Sequence, residues 1–193
     1  MKVLKGTYGY IKAGRKREWI RTLLLFCISL SLLLIGMLVA KHRNPDISWG
    51  QSKNNLLTVA AVLGVLPAAR FLISAIMFTR ASKYSCPASL HEALLPLAEG
   101  HCIAYELYLT GYQENFPLYA VCCTDNEILA LLAEGKAEAG EEHIREALKR
   151  EGLKNVTVKL FTEEGAFLRR LQTASAGGES AEKLLTLLYQ ISL

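Results

Sequence analysis

The sequence predicts an α+β chain: a two-helix transmembrane hairpin followed by a small cytosolic α/β domain, its elements running α-β-β-β-α-β-α and then a C-terminal helix. Three observations carry this. Two long apolar stretches lie in the first 80 residues, basic residues crowd the chain ahead of them, and from about Ser85 the composition becomes that of a globular domain. Hydrophobic residues make up 51% of the 193, and mean hydropathy is +0.22. That excludes a disordered chain, a collagen-like chain and an ordinary wholly soluble domain. The expected organisation is a basic cytosolic segment over 1–19, the hairpin over 20–80 and the α/β domain over 85–193.

The first stretch, Thr22 to Ala40, carries no charge. At about 1.5 Å per residue it nearly matches a hydrocarbon core of about 30 Å. A cleaved signal peptide would have a shorter core and a small-x-small cleavage site, and Leu38-Val39-Ala40 is a poor one. The second stretch, Leu56 to Thr79, contains Pro67 and Arg70. Membrane helices tolerate proline where neighbours repair the backbone. An arginine at the bilayer centre costs about 2.5–3.5 kcal/mol, offset here by the surrounding Leu, Ile, Val and Phe. Arg70 is read as a snorkelling residue, with a head-group or helix-partner contact as the alternative. Ala60, Gly64 and Ala68 fall four apart and form a small-residue face. The expected partner of that face is the first span across the Lys41–Asn55 linker, or else a second copy in a homodimer.

Lys2, Lys5, Lys12, Arg15, Lys16, Arg17 and Arg21 precede the first span with one acid, Glu18. Arg80 and Lys83 follow the second span, and the loop holds Lys41, Arg43 and Lys53. The positive-inside rule places both termini in the cytoplasm, making a multi-pass protein of the cell membrane with the lipid bilayer as its first partner. The basic run reads as a topology signal that could also hold anionic lipid. Five cysteines, Cys27, Cys86, Cys102, Cys122 and Cys123, form no regular framework, as suits a reducing compartment.

In the soluble half, Ser89 to Leu95 reads as a short helix capped by Ser89 and stopped near Pro96 and Gly100. Ile103–Thr110, Pro117–Thr124 and Glu127–Ala133 read as strands, with Gly111–Asn115 a turn. Asp125-Asn126 should make a hairpin turn through a positive φ. EILALLA could be helical by propensity, and its shortness favours a strand. Gly140–Arg150 is an amphipathic helix with Ile144, Ala147 and Leu148 inward, Glu141–Arg145 and Glu146–Arg150 pairs outward, and Gly152 at its end. Val156–Phe161 is a strand, Thr162 a cap, and Phe167 and Leu171 the buried edge of the next helix. Thr173–Glu179 reads as a flexible link. The last helix, Ser180 to Gln190, has Leu184, Leu185, Leu187 and Leu188 to dock on the domain, a partner or the membrane.

This element order resembles the core of restriction-endonuclease-like domains, which implies an acid on one strand and an acid-x-lysine on the next around a magnesium ion. Glu106 could supply the first acid. Leu118-Tyr119-Ala120-Val121-Cys122 and Ile128-Leu129-Ala130-Leu131 supply neither acid nor lysine, so a domain of that kind would be inactive. The Lys5-Gly6-Thr7-Tyr8-Gly9-Tyr10-Ile11 opening, Leu66-Pro67-Ala68-Ala69 and Val156-Thr157-Val158-Lys159-Leu160-Phe161 also resemble segments of small bacterial membrane proteins with two spans and a cytosolic tail domain. That resemblance implies an architecture and carries no chemistry.

Cys86, His91, His101 and Cys102 have metal-ligand chemistry but not zinc-site spacing. Cys122 and Cys123, adjacent on a strand, should point to opposite faces as small hydrophobes. No phosphate loop, dinucleotide fingerprint or nucleophile elbow occurs. Tyr105, Tyr108, Tyr112 and Tyr119 read as strand and rim residues, and the soluble half is not basic enough to expect nucleic acid. No catalytic, cofactor-binding or metal site is therefore assigned, and no cofactor is expected. The expected function is a non-enzymatic, membrane-anchored interaction or scaffold module, with Glu106 a surface or structural residue. The alternative is a membrane-bound enzyme with a degenerate nuclease-like domain.

Overall fold

A computed structural model of the chain describes residues 3–46, 48, 55–98, 100–111, 114–153 and 155–193. Lys53 and Tyr112 lie outside the described residues. The chain is α+β. It forms two compact units, one over Gly14–Arg80 and one joining the segment up to Ala13 to Ala81–Leu193.

In the first unit, helix α1 (Tyr10–Arg43) runs antiparallel to α2 (Leu56–Ala81). Both are long and apolar enough to cross a membrane. Only 11% of each apolar window is buried within the chain, so Leu23, Phe26, Ile35, Val59, Leu66 and Ile73 present bare apolar surface. Helix α1 begins at Tyr10, well inside the stretch expected to be a separate 1–19 segment. Nothing interrupts it, because the basic residues ahead of the span are good helix formers.

The helices meet along small residues repeating every seven positions: Thr22, Ser29 and Gly36 on α1, and Ala61, Ala68 and Ala75 on α2, all buried. This differs from the expected face of four-residue spacing. Ala60 is exposed, whereas Gly64 and Ala68 turn toward α1. A seven-residue repeat keeps one seam in register along two helices that wrap around each other, which a four-residue repeat does not. A Cβ on Gly64 would stand 2.6 Å from Ser29 Oγ. Gly64→Leu should therefore weaken the pairing by about 1–3 kcal/mol, the usual penalty of overpacking. Disulfide crosslinking between Trp19→Cys and Thr79→Cys, whose parent side chains hydrogen-bond at 3.1 Å, should drop in that variant in a Cys27→Ser background. Ala60→Leu should leave it unchanged, and equal crosslinking in all three would mean another surface pairs the helices.

Arg70 is exposed and, among the described residues, has no partner. Its neighbour Phe71 lies 5.6 Å from the guanidinium of Arg21, the last cation before the apolar run of α1.

The second unit is a four-stranded mixed sheet with helices on both faces. Strands β1 (Cys102–Thr110), β2 (Asn115–Cys123) and β3 (Glu127–Leu132) form an antiparallel meander, and β4 (Thr157–Phe161) joins β3 in parallel. Glu127–Leu132 is a strand despite its helical propensity, because it lies mid-sheet with Ile128 to Leu132 buried between both helix layers. Helices α4 (Ala137–Arg150) and α6 (Glu179–Gln190) cover one face through Ile144, Leu148, Leu184, Leu187 and Leu188. Helices α3 (Ala88–Leu94) and α5 (Glu164–Gln172) cover the other through Leu90, Leu94, Phe167 and Leu171. Of the three surfaces open to the last helix, the domain's own core takes it. Cys123 points into the first core and Cys122 into the second, as expected of a vicinal pair on a strand.

Both sheet edges are closed. On β1, Tyr105 N–H donates to Gly6 O at 2.8 Å, Thr110 N–H to Ile191 O at 3.2 Å, and Leu193 N–H to Tyr108 O at 2.9 Å. On β4, Leu160 N–H donates to Glu141 Oε1 at 3.0 Å and Arg145 donates to Val158 O at 3.4 Å. Open strand edges invite pairing with other chains, and these contacts remove the opportunity.

Local capping departs from expectation. Pro87 and Glu163, not Ser89 and Thr162, occupy the N-cap positions of α3 and α5. Neither Asp125 nor Asn126 takes a positive φ. Thr124 closes that turn, its N–H donating to Glu127 O at 2.9 Å. Asp125 instead accepts the N–H groups of Gly178 and Ala181 at 3.0 and 3.3 Å and so caps α6 from a distant loop. The expected flexible link before α6 is thereby pinned, with Gly177 N–H also bound to Gly100 O at 3.1 Å.

Candidate functional site

Strand β1 carries the most unusual residue of the chain. Glu106 is 2% exposed and adopts φ +54°, the only positive φ outside glycine among the described residues. A left-handed residue with a Cβ costs about 1–2 kcal/mol. The cause lies in the sheet. Ala104 faces the first core and Tyr105 the second, but Leu107 and Leu109 face the first again, so the alternation resets at Glu106. Opposite it, β2 resets at Tyr119, where its pairing with β3 shifts register between Leu118 and Ala120. The extra residue of β2 against β3 is the signature of a bulge, and β1 stays in register with β2 through it.

The reset directs the Glu106 carboxylate sideways onto two backbone donors. Oε2 accepts Ile11 N–H at 2.9 Å and Oε1 accepts Cys86 N–H at 3.2 Å. Ile11 lies in the first turn of α1, where N–H groups have no helical partner. Cys86 lies just ahead of α3. One buried carboxylate thus binds both the first turn of α1 and the segment just ahead of α3. Of the two roles expected of Glu106, surface or structural, it takes the structural one.

The opening segment completes this junction. Lys5 Nζ donates to the carbonyls of Tyr189 and Ser192 at 2.7 Å each, where the last turn of α6 lacks donors. Burial lowers the Lys5 pKa. Gly6, at φ +83°, passes against the Tyr189 ring, which a Cβ would strike. Tyr8 stacks on His91 with centroids 4.1 Å apart, and both rings meet Tyr105 edge-on. Residues expected to be a plain basic segment are therefore part of the domain. Their signal was present in the Gly-x-x-Gly spacing and paired tyrosines, which a topology signal does not need.

The four residues with metal-ligand chemistry do not converge. His91 is in the aromatic stack, the His101 ring lies 3.4 Å from Ala174 O, and Cys102 lies against Gly177. Cys86 is buried, and burial, with Glu106 nearby, pushes its thiol up to about 12. Cys122 is likewise pushed up to about 12 by burial. Thiols held neutral in this way are neither nucleophiles nor good ligands. Among the described residues no three His, Cys, Asp or Glu side chains gather as a metal site. The acid at the head of β3, Glu127, forms an ion pair with Arg170 at 2.8 Å. A groove of about 580 Å³ in the α/β unit runs between Phe116 and the α4 residues His143, Glu146 and Arg150. Burial lowers the His143 pKa against the opposing pull of Glu146.

A second cluster lies in the hairpin unit. Glu18, the acid of the basic run, is buried, and its Oε1 accepts Arg17 Nε at 3.1 Å and Arg21 at 3.0 Å. Trp19, 39% exposed, donates Nε1–H to Thr79. Charge divides the chain in the same sense: residues 1–80 hold 12 bases and 2 acids, residues 81–193 hold 10 bases and 16 acids. No family model, curated protein or solved structure matches the chain.

Proposed function

We propose that the chain is a multi-pass membrane protein whose α/β unit serves as a non-enzymatic interaction or scaffold module at the cytoplasmic face, with both termini in the cytoplasm. The bare apolar surface of α1 and α2 supports the anchoring, since side chains such as Phe26 and Ile73 need a lipid covering. The side follows from the basic residues that flank the hairpin on its terminal side. The non-enzymatic reading rests on Glu106. In a nuclease-like sheet it would be the first metal-binding acid, but here its oxygens accept two backbone N–H groups, and β2 supplies no second carboxylate. An acidic domain tethered beside an anionic leaflet is repelled from the lipid surface, which keeps its faces open to protein partners.

Topology is tested with a membrane-impermeant thiol reagent on intact cells. Native thiols are poor reporters, since Cys86 is buried with a raised pKa. Lys149→Cys on the exposed side of α4, in a Cys27→Ser background, should label only after lysis. Labelling in intact cells would reverse the orientation. Magnesium- or manganese-dependent cleavage of DNA or RNA by the purified full chain, lost on replacement of Glu106 or Glu127, would displace the scaffold reading in favour of a nuclease-like enzyme.

A further inference from the structure

We propose that Arg17 and Arg21 form a clamp for the phosphate of an anionic phospholipid in the cytoplasmic leaflet; this rests on the membrane reading above. Both guanidiniums bond the same oxygen, Glu18 Oε1. Two donors at hydrogen-bond distance from one atom lie within about 6 Å of each other. Like charges that close repel, and the buried carboxylate, with 6% side-chain exposure, is what holds them together. The Arg21 guanidinium is fixed further by the Phe71 ring, 5.6 Å away. Arginine has five N–H donors, so each keeps most of its fork free. The side chains remain 39% and 50% exposed. Planar, fixed forks match a phosphate that accepts paired hydrogen bonds, whereas a topology signal needs only charge and gains nothing from a buried acid.

Depth and surroundings commit the site to a lipid. Arg21 stands one residue ahead of the uncharged run that opens at Thr22. Trp19, half out of the seam and hydrogen-bonded to Thr79, occupies the position of an interfacial aromatic. Ile20 and Leu23, 53% and 58% exposed, offer apolar surface beside the clamp. A ligand with an anionic phosphate head and an acyl tail satisfies both parts, and a free phosphate only one.

The test uses the full chain with Trp49→Phe, which leaves Trp19 the sole tryptophan. The protein is reconstituted in phosphatidylcholine vesicles carrying equal fractions of brominated-chain phosphatidylglycerol or brominated-chain phosphatidylcholine. Trp19 should be quenched about two- to five-fold more effectively by the anionic lipid, the scale of one cation's contribution at a membrane surface. R17Q/E18Q/R21Q removes the clamp together with its buried acid, so that no carboxylate is left unpaired, and should abolish the preference. K12Q/K16Q loses more net charge and should keep it. R17K/R21K keeps the charge without the forks and should lose most of it. Each variant is first matched to the parent by circular dichroism in plain phosphatidylcholine. Absence of a head-group preference in the parent would overturn the proposal, as would its survival in either clamp variant or an equal loss in K12Q/K16Q. Millimolar inorganic phosphate should leave the preference intact, and its abolition would replace the lipid with a soluble anion. No quenching by either brominated lipid would instead refute the membrane reading itself.

Discussion

Glu106→Ala is expected to destabilise the α/β unit by about 2–6 kcal/mol, because two buried N–H groups, those of Ile11 and Cys86, each lose their acceptor at about 1–3 kcal/mol. An exposed glutamate would change stability by no more than about ±0.5 kcal/mol on the same substitution. Burial of the carboxylate moves the residue from one class to the other. The φ of +54° supplies a control. Glu106→Gly loses the same two acceptors but relieves the left-handed strain, so it should be milder than alanine by about 1 kcal/mol. Glu106→Gln keeps one acceptor oxygen and sets an amide donor against the other N–H, and should fall in between. Denaturation of the full chain in detergent, followed by circular dichroism, orders the three variants. Alanine equal to the parent would mean that the clamp does not hold the junction.

The α/β unit should also fail to stand alone when cut at Ser85. A fragment of residues 85–193 retains every strand but loses Gly6 from the β1 edge, Lys5 from the end of α6, Tyr8 from the His91 stack and Ile11 from Glu106. Each loss leaves a buried or half-buried group without its partner, at about 1–3 kcal/mol for each polar one. Together they approach the whole stability of a domain of this size. The fragment should be aggregated or loosely folded, with β1 open to pairing. Deletion of residues 1–9 from the full chain should lower the midpoint of the α/β unit's unfolding in detergent while the hairpin helices persist. A cooperative, monomeric 85–193 fragment as stable as the full chain would refute this. Lys5→Met isolates one contact, removing the cation from the last turn of α6 while keeping the stem, and should cost about 1 kcal/mol.

Element types were legible because they depend on local periodicity and length. The two long helices announced themselves by apolar length, and the strand–helix order of the soluble half by alternation, turn residues and amphipathic stripes such as Ile144, Ala147 and Leu148. The Glu141–Arg145 and Glu146–Arg150 pairs, bonded at 2.7 and 3.6 Å, follow from helical spacing alone. Caps were less legible. Asp125 was visible as a turn former, but its hydrogen bonds go to α6, more than 50 residues later in the chain. A side chain that serves a distant helix leaves no mark on its own neighbourhood.

What the sequence determined by itself is therefore the inventory: two long apolar stretches, a basic approach to them, and a small α/β domain of strands and helices in that order. Tertiary structure alone decided which residues share a surface. Gly64 meets Ser29 on a seven-residue seam because two antiparallel helices select their own register. Residues ahead of the hairpin join a domain that begins after it because the chain returns to its starting point, and β1 offers them an edge. Glu106 reads in sequence as an ordinary strand acid. It becomes a buried clamp because its positive φ, opposite the bulge in β2, turns its carboxylate toward two amides, and contacts between residues 95 and 20 positions apart have no local signature. Glu18 changes meaning for the same reason: one acid among seven cations is a dilution in the sequence, and a shared anchor for two guanidiniums once a helix turn brings them to one oxygen.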